Sequence, residues 1–135
     1  MKKFKYCERR SNIFGRVDRP LVTVRVFSKT KGVWIAFYET LADTGADISI
    51  IPKYLGKLIV GDITLGRQIQ ISGIVPYSEL VAYIHNLRIQ VAGKEFEAPV
   101  AVADSDRTIA ILGRVKGLNL FNIEFQKGKT VCFKD

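Results

Sequence analysis

The sequence predicts a mainly β domain. Short apolar runs, many of them alternating with polar residues, recur along the chain, and turn-forming clusters rich in Gly, Asn, Lys or Asp separate them. A helical period is nearly absent, and only residues 115–121 are compatible with a turn or two of helix. The length of 135 residues, of which 47% are hydrophobic, suits one domain with its own core.

The predicted strands follow one another from residue 21 to the C-terminus. In chain order they are 21–27, 33–41, 48–51, 69–71, 80–85, 87–91, 96–103, 109–112, 122–125 and 130–133. Glycine or aspartate marks the breaks, as in K-G at 31–32, A-G-K at 92–94 and D-S-D at 104–106. The last two runs flank K-G-K at 127–129, so they predict a strand, a tight turn and a second strand.

The positive charge lies at the N-terminus. The formal net charge is +8, and residues 1–31 hold ten Lys and Arg against Glu8 and Asp18, whereas the rest of the chain holds eleven of each sign. We interpret residues 1–18 as a basic N-terminal extension, solvated and partly disordered, that precedes a domain at 19–135. An arm for nucleic acid or an acidic partner is the alternative. No aromatic-basic interleaving accompanies the charges, so nucleic acid is not the expected partner.

Composition argues against several function classes. Cys7 and Cys132 form no C-x-x-C pair, His85 is the only histidine and no G-x-S-x-G occurs, so we expect no metal site, no cofactor and no serine triad. The longest apolar stretch, 32–38, is far shorter than the roughly 18 residues of a membrane span. The basic N-terminus continues into further charges instead of an apolar signal segment, which favours a cytoplasmic protein.

The stretch L-A-D-T-G-A-D-I-S-I-I-P at 41–52 places two carboxylates in an otherwise apolar run. Asp43 comes where the strand 33–41 ends and Thr44-Gly45 forces a turn. Burial of a carboxylate costs free energy, so Asp43 must be compensated by hydrogen bonds or used chemically. Without further context, Asp43 or Asp47 as a turn cap is an adequate explanation.

Two more segments, one before and one after the stretch 41–52, belong with it. They are R-P-L-V-T-V-R-V at 19–26 and A-I-L-G-R at 110–114. Together with the D-T-G-A-D loop they resemble the retropepsin family, the retroviral-type aspartic proteases, over residues 19–125. The resemblance implies an all-β fold, namely a closed, barrel-like half of an acid protease with a flap hairpin and at most one short helix. It also implies activity as a symmetric homodimer.

The resemblance implies an aspartic endopeptidase that acts on peptides or proteins. Only one D-T-G occurs in the chain, so the second catalytic carboxylate is expected from Asp43 of another copy, and the two Asp43 side chains activate a water. Thr44 and Gly45 are expected to support the active site. The residues expected to contact the substrate are Gly45, Ala46, Asp47, Gly73 and Ile74. Asp47 is also expected to pair with Arg114 of its own chain and with Arg19 of the other, at a semi-buried position.

The expected flap spans residues 69–83 and departs from the viral pattern. Gly73 is the only glycine near its tip and Pro76 stiffens it, whereas viral flaps are rich in glycine. This departure leaves an alternative function open: a catalytically silent dimer of the same fold that binds peptides or a protein partner.

Overall fold

A computed structural model describes residues 1–73 and 79–134. The strands are β1 (Lys2–Lys5), β2 (Cys7–Ser11), β3 (Gly15–Arg19), β4 (Leu21–Ser28), β5 (Val33–Ala42), β6 (Ser49–Ile51), β7 (Arg67–Ser72), β8 (Glu79–Val91), β9 (Lys94–Ala103), β10 (Ile111–Leu112), β11 (Asn122–Gln126) and β12 (Thr130–Lys134). The α-helix is α1 (Lys53–Val60), and 3-10 turns occupy Ile63–Leu65 and Leu118–Leu120.

Six strands close into a barrel. They follow the order β4-β5-β10-β6-β9-β8, and a further pairing of β8 with β4 joins the two ends of the sheet. Two of the pairings are parallel, β5 with β10 and β6 with β9, while β7 extends the sheet beyond β8. The prediction of a mainly β, closed, barrel-like fold is confirmed.

Alternation of side chains along the strands explains the barrel core. On β4, Val22, Val24 and Val26 are at most 5% exposed, whereas Arg25 between them lies at the surface. The sequence predicted two strands, 80–85 and 87–91, where the structure has the single strand β8. Asn86 stays in the ladder opposite Pro99, because β9 pairs with β8 along its whole length.

Helix α1 is one of the elements that the sequence pattern did not predict. Two backbone N–H groups at its N-terminus find acceptors in the loop that follows β9. The Lys53 N–H donates to the carbonyl oxygen of Ser105 (3.1 Å), and the Tyr54 N–H donates to Asp106 Oδ1 (2.8 Å). Gly56 permits its close packing, because a Cβ there would lie 2.1 Å from Val102 Cγ1. Among the described residues, no helix is long and apolar enough to span a membrane.

The N-terminal residues are ordered into strands, so the interpretation of residues 1–18 as a partly disordered lead-in is wrong. Strand β1 pairs with β12 in a three-stranded sheet that β11 completes, and β2 and β3 form a separate hairpin. Phe4 anchors β1, because its ring packs edge-on against Phe133 at a centroid distance of 5.6 Å. Arg9 of the hairpin forms an ion pair with Glu39 on β5. Charged strands of this kind lack the apolar alternation that would have predicted them.

Candidate active site

Two other segments hold Asp43 at the end of β5. The N–H of Ala42 donates to the carbonyl oxygen of Pro20 (3.0 Å), and the N–H of Asp43 donates to the carbonyl oxygen of Leu112 (3.1 Å). Leu112 belongs to β10, which runs parallel to β5 and directly beside it. The backbone of Asp43 is therefore fixed by the barrel, and the carboxylate sits where the strand gives way to the loop.

The loop itself forms a tight turn around the carboxylate. The N–H of Gly45 donates to Asp43 Oδ1 (2.9 Å), and the N–H of Ala46 donates to the Asp43 carbonyl oxygen (3.3 Å). Asp43 is half-buried, whereas Thr44 and Gly45 are exposed. Within residues 1–73 and 79–134 the Asp43 carboxylate accepts no other side-chain or backbone hydrogen bond, so one of its oxygens remains available to a ligand.

The second carboxylate of the loop pairs with the A-I-L-G-R segment. Arg114 Nη2 forms an ion pair with Asp47 Oδ1. Two backbone hydrogen bonds of 2.9 Å support it, from Arg114 N–H to the Ala46 carbonyl and from Val115 N–H to the Asp47 carbonyl. In the single chain the Asp47 side chain is 78% exposed and that of Arg114 is 45% exposed, so the expected semi-buried position is not found there.

Gly113 and Ser49 position the loop, although neither was predicted as a site residue from the sequence. The hydroxyl oxygen of Ser49, a residue only 6% exposed, accepts a hydrogen bond from the Gly113 N–H (3.0 Å). A Cβ on Gly113 would lie 2.6 Å from the carbonyl carbon and oxygen of Ile48, so only glycine fits between the two segments. A serine in the apolar run I-S-I-I was the available signal, because a buried hydroxyl needs a partner.

Of the remaining predicted residues, Arg19 and Gly73 make no hydrogen bond or ion pair to the loop among the described residues, and Ile74 is not described. Arg19 ends β3, is half-buried and has no carboxylate within ion-pair distance among the described residues. Strands β7 and β8, which flank the tip of the expected flap, pair antiparallel with Ser72 opposite Glu79, and Gly73 follows β7 as an exposed residue. Ile74 lies outside the described residues, as does the rest of 74–78.

Within the described part of the chain, metal-ligating side chains do not form a cluster at the loop. Over the parts of the chain that the structure describes, no three His, Cys, Asp or Glu side chains cluster closely enough to hold a metal ion. The loop presents the Asp43 and Asp47 carboxylates and the surrounding backbone amides.

Comparison with known proteins finds similarity in structure. No protein-family model and no curated protein sequence matches the chain. A retropepsin-like aspartic protease from Rickettsia conorii matches with a TM-score of 0.62 and 19% identity, over 96% of this chain and 89% of that one. The retroviral protease-like domain of Ddi1 from Leishmania major matches with a TM-score of 0.51 and 16% identity, over 86% of this chain and 95% of that one. This chain therefore has the retropepsin-like fold.

Proposed function

We propose that the protein is an aspartic endopeptidase that works as a homodimer and hydrolyses peptide bonds with a water held between the Asp43 carboxylates of the two copies. The observation that carries the proposal is the D-T-G-A-D loop, held at the end of β5 with the Asp43 carboxylate half-buried and open on one side. The Rickettsia conorii protein of the same fold is described as an aspartic protease, which supports this assignment.

The proposed mechanism needs two carboxylates in different protonation states. Two carboxylates about 3 Å apart cannot both ionise easily, so the pair shares one proton and titrates in two coupled steps. The ionised Asp43 accepts a proton from the water, whose oxygen attacks the carbonyl carbon of the peptide, while the protonated Asp43 donates its proton to the carbonyl oxygen. The tetrahedral diol then collapses: one of its hydroxyls gives its proton to the carboxylate that is now ionised, the C–N bond breaks, and the amine leaves with the proton that the other carboxyl group took from the water.

The other loop residues take supporting roles in this proposal. The Gly45 N–H orients Asp43 through the 2.9 Å hydrogen bond to Oδ1. Thr44, which is exposed in the single chain, faces the second copy, and Asp47 contacts the substrate backbone while Arg114 holds it in place. Because Arg114 also bonds the loop through its backbone, its role is to position the loop and not to take part in the chemistry.

Cleavage of a diverse peptide library between pH 4 and 7.5 tests the proposal. We expect the wild type and Asp18→Asn, a surface control on β3, to cleave the same peptides with a bell-shaped pH profile. We expect no cleavage from Asp43→Asn, which keeps the shape of the side chain and removes its titration. Equal cleavage by Asp43→Asn would refute the assignment of Asp43.

Mixing the wild type with Asp43→Asn tests whether the active form is a dimer. Since each site takes one Asp43 from each copy, an excess of Asp43→Asn chains should trap wild-type chains in inactive mixed dimers and lower their activity. Activity that is unchanged by this excess, with exchange of chains demonstrated, would mean that one chain is sufficient.

The same assays distinguish the proposed endopeptidase from the alternative function. The single glycine at the flap, Gly73, favours a dimer of this fold that binds peptides without cleaving them. A folded dimer that binds library peptides and cleaves none of them across the pH range would establish that alternative.

A further inference from the structure

Strand β1 has a free edge. Its register with β12 sets Lys2 opposite Phe133 and Phe4 opposite Val131, and the Tyr6 N–H continues this ladder with a 2.8 Å bond to the Lys129 carbonyl. Because hydrogen-bonded and non-hydrogen-bonded pairs alternate along antiparallel strands, the backbone groups of Lys3 and Lys5 point away from β12. Within the described residues β12 is the only strand that pairs with β1, so the N–H and carbonyl groups of Lys3 and the N–H of Lys5 remain open, while the Lys5 carbonyl oxygen accepts only a weak hydrogen bond from Cys7 Sγ (3.8 Å).

A basic groove lies beside β1. The groove has a volume of about 490 Å³ and lies between β1 and the barrel, with Lys2, Lys3 and Arg25 among its lining residues. A smaller groove of about 250 Å³ shares Lys2 and continues past Lys94 and Lys134. Every charged residue that lines either groove is a cation.

Most of these cations have no carboxylate partner, although Lys94 donates a hydrogen bond to the Leu120 carbonyl oxygen (3.5 Å) and lies 5.7 Å from the centroid of the Phe121 ring. Among the described residues no carboxylate lies within ion-pair distance of Lys2, Lys3, Arg25 or Lys94, while Lys134 pairs with Glu124 at 2.6 Å. The grooves therefore concentrate positive potential, which attracts an anionic partner. The same charges oppose pairing of β1 with β1 of a second copy, since that would set lysines against lysines.

We propose that the groove beside β1 binds an extended acidic segment of a partner protein by strand addition. The backbone of the segment pairs with Lys3 and Lys5, and its carboxylates lie against Lys2, Lys3 and Arg25. A nucleic acid would use the cations alone, whereas an extended peptide uses both the cations and the backbone edge. This inference goes beyond the proposed endopeptidase activity and does not depend on it.

Fluorescence anisotropy with a rhodamine-labelled dodecapeptide of alternating Glu and Val tests the proposal. We expect saturable binding that weakens with added salt, and no binding of the matched Lys-Val peptide. The double variant Lys3→Gln with Arg25→Gln should bind the Glu-Val peptide about 5- to 20-fold more weakly, because it loses two exposed ion pairs to the peptide. The control with the same loss of charge, Lys57→Gln with Arg107→Gln, should leave the affinity unchanged, because these exposed residues line neither groove.

A second comparison isolates the backbone edge. Lys3→Gln and Lys3→Pro both remove the cation, but only proline also removes the outward N–H, so Lys3→Pro should bind about 5-fold more weakly than Lys3→Gln. The β1–β12 ladder should survive, because the Lys3 N–H takes no part in it. Lys5→Pro repeats the test against Lys5→Gln if Lys3→Pro lowers stability.

Three results would overturn the proposal. The first is the absence of saturable binding of the Glu-Val peptide. The second is equal affinity of the proline and glutamine variants at both positions, which would leave only nonspecific attraction to the cations. The third is tighter binding of a twelve-nucleotide oligothymidylate with the same sensitivity to Lys3→Gln and Arg25→Gln, which would identify the groove as a nucleic-acid site.

Discussion

Substitution of Gly113 by alanine would force the D-T-G-A-D loop away from β10. The new Cβ would lie 2.6 Å from the carbonyl carbon and oxygen of Ile48 and 3.1 Å from the Ala46 carbonyl oxygen. All of these atoms belong to the backbone, so no side chain can rotate out of the way. Ordinary contact begins at 3.4 Å, so the two backbones must separate by about 0.8 Å.

The expected loss of stability has two sources. Overpacking of this kind costs about 1–3 kcal/mol, and separation weakens the 3.0 Å hydrogen bond from the Gly113 N–H to Ser49 Oγ, at about 1 kcal/mol. The free energy of unfolding should therefore fall by about 2–4 kcal/mol. The separation also moves the loop that carries Asp43, and a misplacement near 1 Å costs about 100-fold in rate.

Two assays check this prediction. Urea unfolding at a fixed chain concentration gives the stability, and kcat/KM for a cleaved library peptide, at a concentration where the variant is a folded dimer, gives the activity. The matched control is Gly128→Ala, far along the chain with φ +67° and no atom within 4 Å of its new Cβ, which should lose about 1 kcal/mol and keep full activity. Gly113→Ala with the stability of the wild type, or with activity equal to that of Gly128→Ala, would refute the reasoning.

Three further predictions concern single side chains. Thr40→Val should raise the free energy of unfolding by about 1 kcal/mol in urea titrations, because Thr40 Oγ1 is buried without a hydrogen-bond partner among the described residues; an unchanged midpoint would contradict this. Ellman's reagent should label half-buried Cys7 in the native protein and the fully buried Cys132 only in denaturant, and equal labelling rates would contradict the structure. The hydrogen bond from Lys134, and its charge, hold the pKa of Glu124 below its ordinary 4.5, so this stabilisation is complete above about pH 4.5 and is lost as the pH falls through the lowered pKa. Glu124→Gln should flatten the dependence of stability on pH in that acidic range.

The barrel strands were predictable because burial of one face of a strand makes apolar residues recur at every second position of the sequence. Val22, Val24 and Val26 alternate with the half-buried Thr23 and the exposed Arg25, and this alternation sets both the strand and its inward face. The boundaries shifted by a residue or two, and β8 emerged as one strand because pairing with β9 continues through Asn86, a residue that local propensity would place in a turn.

The elements that the sequence did not predict lack this alternation of apolar and polar residues. Strands β2 and β3 are largely charged, and they pair with each other without burying a face, so their sequence resembles a solvated segment. Helix α1 is only eight residues long with Gly56 in its middle, and glycine lowers helix propensity by about 1 kcal/mol relative to alanine. Its formation depends on Ser105 and Asp106 at its N-terminus and on packing against Val102, all distant in sequence.

The residues of the candidate site were easier to predict than the contacts that hold them, because these residues lie next to one another in the sequence. Asp43, Gly45 and Asp47 lie within five residues, and the hydrogen bond that orients the carboxylate is made inside that span. The contacts that hold the loop come from Pro20, Leu112 and Gly113, which no local pattern connects to it. A single chain supplies one such carboxylate, and Asp47 remains largely exposed beside it. If two copies bring their Asp43 loops together, as we propose, the exposed face of the loop becomes an interface, and the catalytic pair arises from symmetry instead of from a second motif in the sequence.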